Sequence, residues 1–267
     1  MSKKEKPSYI IKNIAPERLM IIDFMQTSLK HPNMNGLLEL DVTKVRSYID
    51  EYEEKTGIQL SLTGFIAYSM AKAINQDKRM NALKKGKKKL VIFDDVDIMV
   101  VIERKFGEKK APIGHIIRKA NEKSYEEIHQ EIRAKQTETL GGDFQSKTQL
   151  RYKRMPWFLK KAMWRKYNRD PIFKKKLSGT CSITAVGMFG EGNGWGVVPT
   201  NLPVTVVLGG IGKKPAVVND QIVIREFLSI TLCFDHDIVD GAPATRFAMH
   251  LKELVESGDG LVNQVEK

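Results

Sequence analysis

The chain has 267 residues, 42% hydrophobic and 28% charged, which is enough apolar material for one substantial core and excludes a disordered or fibrous chain. Its net charge of +12 is unevenly placed: residues 151–176 hold eleven Lys or Arg against one acid, Asp170, so any argument about an electrostatic partner concerns that segment and not the fold. No apolar run is long enough to span a bilayer, and no signal-peptide core follows the basic start MSKKEKPSY, so the expected compartment is the cytoplasm, with a peripheral membrane position left open by the basic segment.

Taken in chain order, residues 34–40 (MNGLLEL) predict a strand. A helix is expected over 42–55, with Asp41 as its cap and Gly57 just past its end. Residues 62–74 place Phe65, Ile66, Met70, Ala73 and Ile74 on one helical face. The run KKGKKK (84–89) suits an exposed turn, and 97–102 (DIMVVI) a buried strand. Ser124 with Glu127 forms a capping box ahead of an Ile128/Ile132 stripe, and 136–149 is a polar loop. Beyond the basic segment, strands are expected at 182–189, 204–208 and 228–234, with a hairpin around Asn219-Asp220. A last helix over 243–257 turns Phe247, Leu251, Leu254 and Val255 inward and stops at Gly258. Cys181 and Cys233 lie far apart in strand-like segments; they read as small buried residues, with a bridge between them as the alternative. His115 and His129 have no partnering Cys or acid pattern, so no metal site is expected.

The stretch that carries chemistry is LSITLCFDHDIVDGAPATRF, residues 228–247. An apolar strand ends at Asp235-His236, four residues later come Asp240 and Gly241, and a helix follows. A histidine at a strand mouth points into a cleft and can take a proton near neutral pH. Asp240 is close enough to buttress the loop, and Gly241 permits a tight turn into the helix. On spacing alone, H-x-x-x-D-G is equally compatible with a histidine at an ordinary turn.

DHDIVDGA resembles the D-H-R-x-x-D-G-A signature of the dihydrolipoyl acyltransferases, the catalytic cores of 2-oxoacid dehydrogenase complexes, which share a fold with chloramphenicol acetyltransferase. RLMIIDFM (18–25) resembles the first helix of that core, and KHPNMNGLLELDVTKV (30–45) its first strand and next helix. SITAVGMFG (182–190) and VVLGGIGKKP (206–215) resemble the strands before and after its active site. The likeness covers most of the chain, with the basic segment as the main exception. It implies an α/β (α+β two-layer sandwich) domain of the chloramphenicol acetyltransferase-like kind, a mixed sheet flanked by helices. A basic tail at 1–15 would precede one catalytic domain at 16–267, with an insertion at about 148–177.

The resemblance also implies roles. His236 would be the general base that deprotonates the thiol of coenzyme A or of the acceptor. Thr184 would donate to the tetrahedral oxyanion. Asp240 would pair with Arg18 of the first helix to hold the loop. Gly187, Asp235 and Gly241 join the expected substrate- and cofactor-contacting residues. Coenzyme A or acyl-coenzyme A is the expected co-substrate, with no metal and no lipoyl group attached to this chain. The site would lie between subunits of a homotrimer, or of a higher assembly of trimers. The expected activity is a stand-alone acyltransfer between coenzyme A and a thiol of the dihydrolipoyl kind, or another small acceptor.

Three departures qualify this. Asp237 stands where the family usually has arginine, placing a carboxylate beside the histidine that repels an anionic substrate. Too few residues precede Arg18 for a lipoyl or subunit-binding domain, so a lipoyl domain would come on another chain. The segment RYKRMPWFLKKAMWRKYNRDPIFKKK combines its charge with Tyr152, Trp157, Phe158, Trp164, Tyr167 and Phe173. It is compatible with a helix packed by its aromatics on the domain, with contact to an anionic membrane, with an entrance for coenzyme A phosphates, or with nucleic acid, for which no specific recognition is expected. A non-catalytic trimeric scaffold and a membrane-associating module are the competing functions.

Overall fold

The computed structural model describes residues 9–14, 16–106, 109–137, 151–186 and 192–261. Helix α1 (Pro16–Ser28) leads into β1 (Asn33–Asp41), α2 (Thr43–Thr56) and α3 (Leu62–Gln76). A small hairpin follows, β2 (Ala82–Lys85) and β3 (Lys89–Ile92), then β4 (Ile98–Phe106), β5 (Lys109–Ile117) and α4 (Tyr125–Thr137). The basic segment forms a helical turn at 151–154, α5 (Trp157–Arg169) and α6 (Pro171–Ser178). The chain ends through β6 (Cys181–Ala185), β7 (Val204–Val218), β8 (Gln221–Asp235) and α7 (Gly241–Ser257).

Six strands form one mixed sheet in the order β1-β8-β7-β6-β4-β5, with β6 parallel to β4 and β7 and the other pairs antiparallel. Strand alternation gives each face its own chemistry. Ile98, Ile183, Val206, Ile230, Leu232 and Phe234 share the face packed against the apolar stripes of α2, α3, α4 and α7. Ser182, Thr184, Thr205 and Thr231 share the other face, where Thr205 is linked by side-chain hydrogen bonds to both Ser182 and Thr200.

Local signals explain most boundaries. Ser61 accepts from the Gly64 N–H to start α3, and Ser124 and Glu127 exchange hydrogen bonds to start α4. Gly57 and Gly258 end α2 and α7 in the left-handed region. Asn219 and Asp220, both at positive φ, close the β7–β8 hairpin. Gly209 and Gly210 sit at a bulge in β7, where Gly194 and Gly192 carbonyl oxygens occupy the space any Cβ would need.

Some details differ from expectation and others match it. Helix α2 begins at Thr43, with Val42 in the capping position; Asp41 acts one residue earlier, accepting from the Thr43 N–H at 3.0 Å. The KKGKKK run is the tip of a paired hairpin. Gly241 is already helical and has a negative φ, so no turn there requires glycine. Both cysteines are buried free thiols, and burial pushes Cys181 up to about 12. Among the described residues no helix is long and apolar enough to cross a membrane.

The basic segment packs against α1. Trp164 lies among Phe24, Tyr152 and Tyr167 with ring centroids 5.3–6.4 Å apart. Tyr152 hydrogen-bonds Asp23, and the buried Tyr167 hydroxyl reaches Ser178 and Asn201. Asp170 caps α6 by accepting from the Ile172 and Phe173 N–H groups. At its other end, Arg118 donates to the Lys175 and Lys176 carbonyls and to Asp97.

Candidate active site

His236 follows directly on β8, and its backbone N–H donates to the Pro32 carbonyl at 2.8 Å. Asp235, the last residue of β8, organises the turn. Its carboxylate is fully buried; Oδ2 lies 2.6 Å from His31 Nδ1, and Oδ1 accepts from the Asp237 N–H at 3.1 Å. Its carbonyl accepts from the Ile238 and Val239 N–H groups. The turn is therefore pinned on both sides while the His236 side chain stays 49% exposed. Asp235 was expected among substrate-contacting residues. Its burial and its bond to His31 make it a holder of the turn instead.

Lys174 contributes from α6. It is buried, donates to the Asn201 carbonyl and lies 5.4 Å from the centre of the Tyr167 ring. Burial pushes its amine down to about 8, against the pull of the Asp235 charge. The strand entering the site is fixed by Asn33, whose amide exchanges two hydrogen bonds with the Thr200 backbone.

Asp240 Oδ1 lies 3.9 Å from His236 Nδ1, and its carboxylate is 84% exposed. The expected pairing of Asp240 with Arg18 is not formed within this chain. Arg18 is exposed on α1 with no ion-pair partner among the described residues, and the nearby Asp23 is engaged by Tyr152 of the basic segment. Asp237 is held by Lys84 of β2 at 2.5 Å. That ammonium answers the carboxylate expected to repel an anionic substrate, so the charge beside His236 is a neutralised pair. His31, Asp235 and Asp237 offer ligand atoms within 4.8 Å of one another. With Lys84 on Asp237, and His31 and a backbone N–H on Asp235, the cluster is a hydrogen-bonded turn already satisfied without a cation.

Thr184 is half-buried near the end of β6, and its hydroxyl has no partner among the described residues. It pairs with Val207, which pairs with Thr231. His236 lies five residues beyond Thr231, about 16 Å along the strand and two strand spacings away, so the two side chains of one chain are roughly 19 Å apart. Gly187 lies outside the described residues. Gly241 opens α7 with nothing within 4 Å of the place a Cβ would take, leaving room beside the turn. His31, Lys84 and Lys174 were not singled out from sequence; only the Asp-Pro cap of α6 hinted that Lys174 belongs to a helix.

The 2-oxoacid dehydrogenases acyltransferase (catalytic domain) model matches residues 7–149 and 173–262, leaving out α5. The dihydrolipoyllysine-residue acetyltransferase component of the pyruvate dehydrogenase complex of Rickettsia conorii is 26% identical over 94% of this chain and 53% of its own length. The mitochondrial dihydrolipoyllysine-residue succinyltransferase component of the 2-oxoglutarate dehydrogenase complex of Saccharomyces cerevisiae is 26% identical over 86% of this chain and 42% of its own. The chain thus spans about half the length of these curated relatives. Among solved structures, Azotobacter vinelandii dihydrolipoamide acetyltransferase superposes with TM-score 0.69 at 17% identity, covering 95% of this chain and 94% of that one. The cubic core of the pyruvate dehydrogenase multienzyme complex gives 0.68 at 16% identity, covering 96% and 95%. Chloramphenicol acetyltransferase gives 0.51 at 14% identity, covering 92% and 99%. The fold is that of the chloramphenicol acetyltransferase-like acyltransferase core.

Proposed function

Because the chain belongs to the family of 2-oxoacid dehydrogenase acyltransferases (catalytic domain), we propose that it moves an acyl group between coenzyme A and a thiol of the dihydrolipoyl kind, with His236 as the general base. The carrying observation is an imidazole left half-exposed on a turn whose backbone is bonded on both sides. A second observation supports the assignment. Catalytic roles have been investigated for a serine, a histidine and an asparagine of the A. vinelandii enzyme, and the same two intervals separate Thr184, His236 and Asp240 here.

In the proposed reaction His236 takes the proton of the attacking thiol, and the sulfur adds to the carbonyl carbon of the acyl thioester. The Thr184 hydroxyl donates to the resulting oxyanion. Collapse breaks the original carbon–sulfur bond, and the departing thiolate takes the proton back from the imidazolium. The two residues of one chain lie too far apart to share a carbonyl, so the Thr184 that serves a given His236 belongs to a neighbouring copy. This supports a trimer. The Lys84–Asp237 pair removes the charge-based motive for a non-catalytic scaffold.

Incubation with acetyl-coenzyme A and dihydrolipoamide should release free thiol. His236→Ala should slow that release by roughly 10²–10⁴-fold, and Thr184→Ala by roughly 10²–10³-fold. Full activity in His236→Ala would refute the base assignment.

A further inference from the structure

The family match omits α5, yet α5 carries three consecutive exposed apolar side chains beside the densest positive charge of the sequence. Trp157, Phe158 and Leu159, consecutive in its first turn, are 74%, 55% and 47% exposed. The inner side of the same helix is accounted for by Trp164 and Tyr167 packing on Phe24 and Tyr152, so the aromatic tip is left outside the core by the way the helix is docked. The exposed Arg151, Lys153 and Arg154 precede that tip in the chain and Lys161 and Arg165 follow it along the helix, none with an acidic partner among the described residues. Phe158, Lys161, Arg165 and Arg169 follow one another at helical spacing along the outer face. The one acid of the segment, Asp170, is used up as the cap of α6.

We infer that the first turn of α5 is a docking point for an anionic lipid bilayer, with Trp157, Phe158 and Leu159 entering the headgroup–acyl boundary and the surrounding lysines and arginines binding lipid phosphates. Trp suits this boundary because its ring is apolar and its N–H is polar. Each basic side chain near an anionic surface strengthens binding by roughly fivefold, and the apolar trio adds a contact that salt does not screen. An acidic protein or a nucleic acid would use the same charge, and bases would stack on Trp157 and Phe158, but the exposed aliphatic Leu159 beside them gains only from an apolar phase. This surface lies outside the family's matched region and does not depend on the acyl-transfer reading.

The full chain should co-sediment with vesicles of phosphatidylcholine and phosphatidylglycerol, more weakly at high salt, and hardly at all with phosphatidylcholine alone. Fluorescence assigned to Trp157, taken as the difference between the wild-type chain and Trp157→Phe, should shift to the blue and become shielded from an aqueous quencher only when those vesicles are present. The triple variant Trp157→Ser, Phe158→Ser, Leu159→Ser should partition at least about tenfold less. So should Lys153→Glu with Arg154→Glu and Lys161→Glu. Both should keep their circular dichroism and thiol-release activity, since the altered side chains are exposed. Absence of binding, or binding unchanged in both variants, overturns the inference. Binding displaced by RNA with no shift of Trp157 overturns it in favour of a polyanion partner. A Trp157 already shielded without vesicles overturns it in favour of a neighbouring copy of the chain.

Discussion

Asp235 and His31 are 204 positions apart in sequence, yet their 2.6 Å contact lies directly behind the proposed base. β1 and β8 bring them together, since Asn33 pairs with Asp235 in the antiparallel register. A carboxylate with no exposure is stable as an anion only while its partners remain. His31→Ala should therefore cost about 3 kcal/mol. That is a fall in Tm of roughly 6–12 °C, checked by calorimetry. An unchanged Tm would mean the Asp237 N–H and the charge of Lys174 suffice to hold Asp235. The site was legible in the sequence only as far as a contiguous motif carries it: DHDIVDGA and the S-I-T strand pointed to His236, Asp240 and Thr184. His31 and Lys84 are long-range partners of that motif, and nothing in their immediate neighbours distinguishes them from any other polar residue. Asp237 looked unfavourable because its answer, Lys84, lies in a separate hairpin.

Elements with strong periodicity were legible to within a few residues: β1, α3, α4 and α7; of the β7–β8 hairpin the turn was legible, but its strands run ten and seven residues further toward that turn than expected. Those whose pairing or capping outweighs composition were not. β2 and β3 are four residues each and rich in lysine, so no alternation betrays them. β5 (KKAPIGHII) contains a proline that is tolerated because this strand is at the sheet edge. α6 was not separated from the one basic helix expected over this segment, although Asp170-Pro171 starts a second helix. Its Lys174 makes this element pH-sensitive. The folded chain holds that ammonium at about 8, below its ordinary 10.5, so between those values the unfolded chain binds more protons and stability rises with pH. The gain across the window is at most about 3 kcal/mol. Denaturant titrations of the wild-type chain should show this rise from pH 8 toward pH 10, and Lys174→Met should flatten it. Above that range the buried Tyr125, Tyr152 and Tyr167, whose phenols burial pushes up, work in the opposite direction.

At the scale of the whole molecule, β8 runs antiparallel to β7 while β6 runs parallel to it, so β8 ends at the level where β6 begins and a single chain keeps its proposed base roughly 19 Å from its proposed oxyanion donor. The β7–β8 arm also extends beyond the core with Val217, Ile222 and Ile224 exposed on one face, an apolar strip suited to another copy. A site built between chains in a head-to-tail ring has a consequence that a site within one chain lacks. Each of the variants His236→Ala and Thr184→Ala is inactive alone, but each retains the group the other has lost. When the two are co-expressed in equal amounts, a productive site arises wherever a chain with intact His236 faces a neighbour with intact Thr184. Random assembly makes that about one site in four. Thiol release should therefore return to about a quarter of the wild-type rate in the mixture. If the mixture stays as inactive as its parents while both variants assemble normally, the base and the hydroxyl act from one chain, and the separation along the sheet must be closed by a rearrangement of β6 instead of by a neighbour.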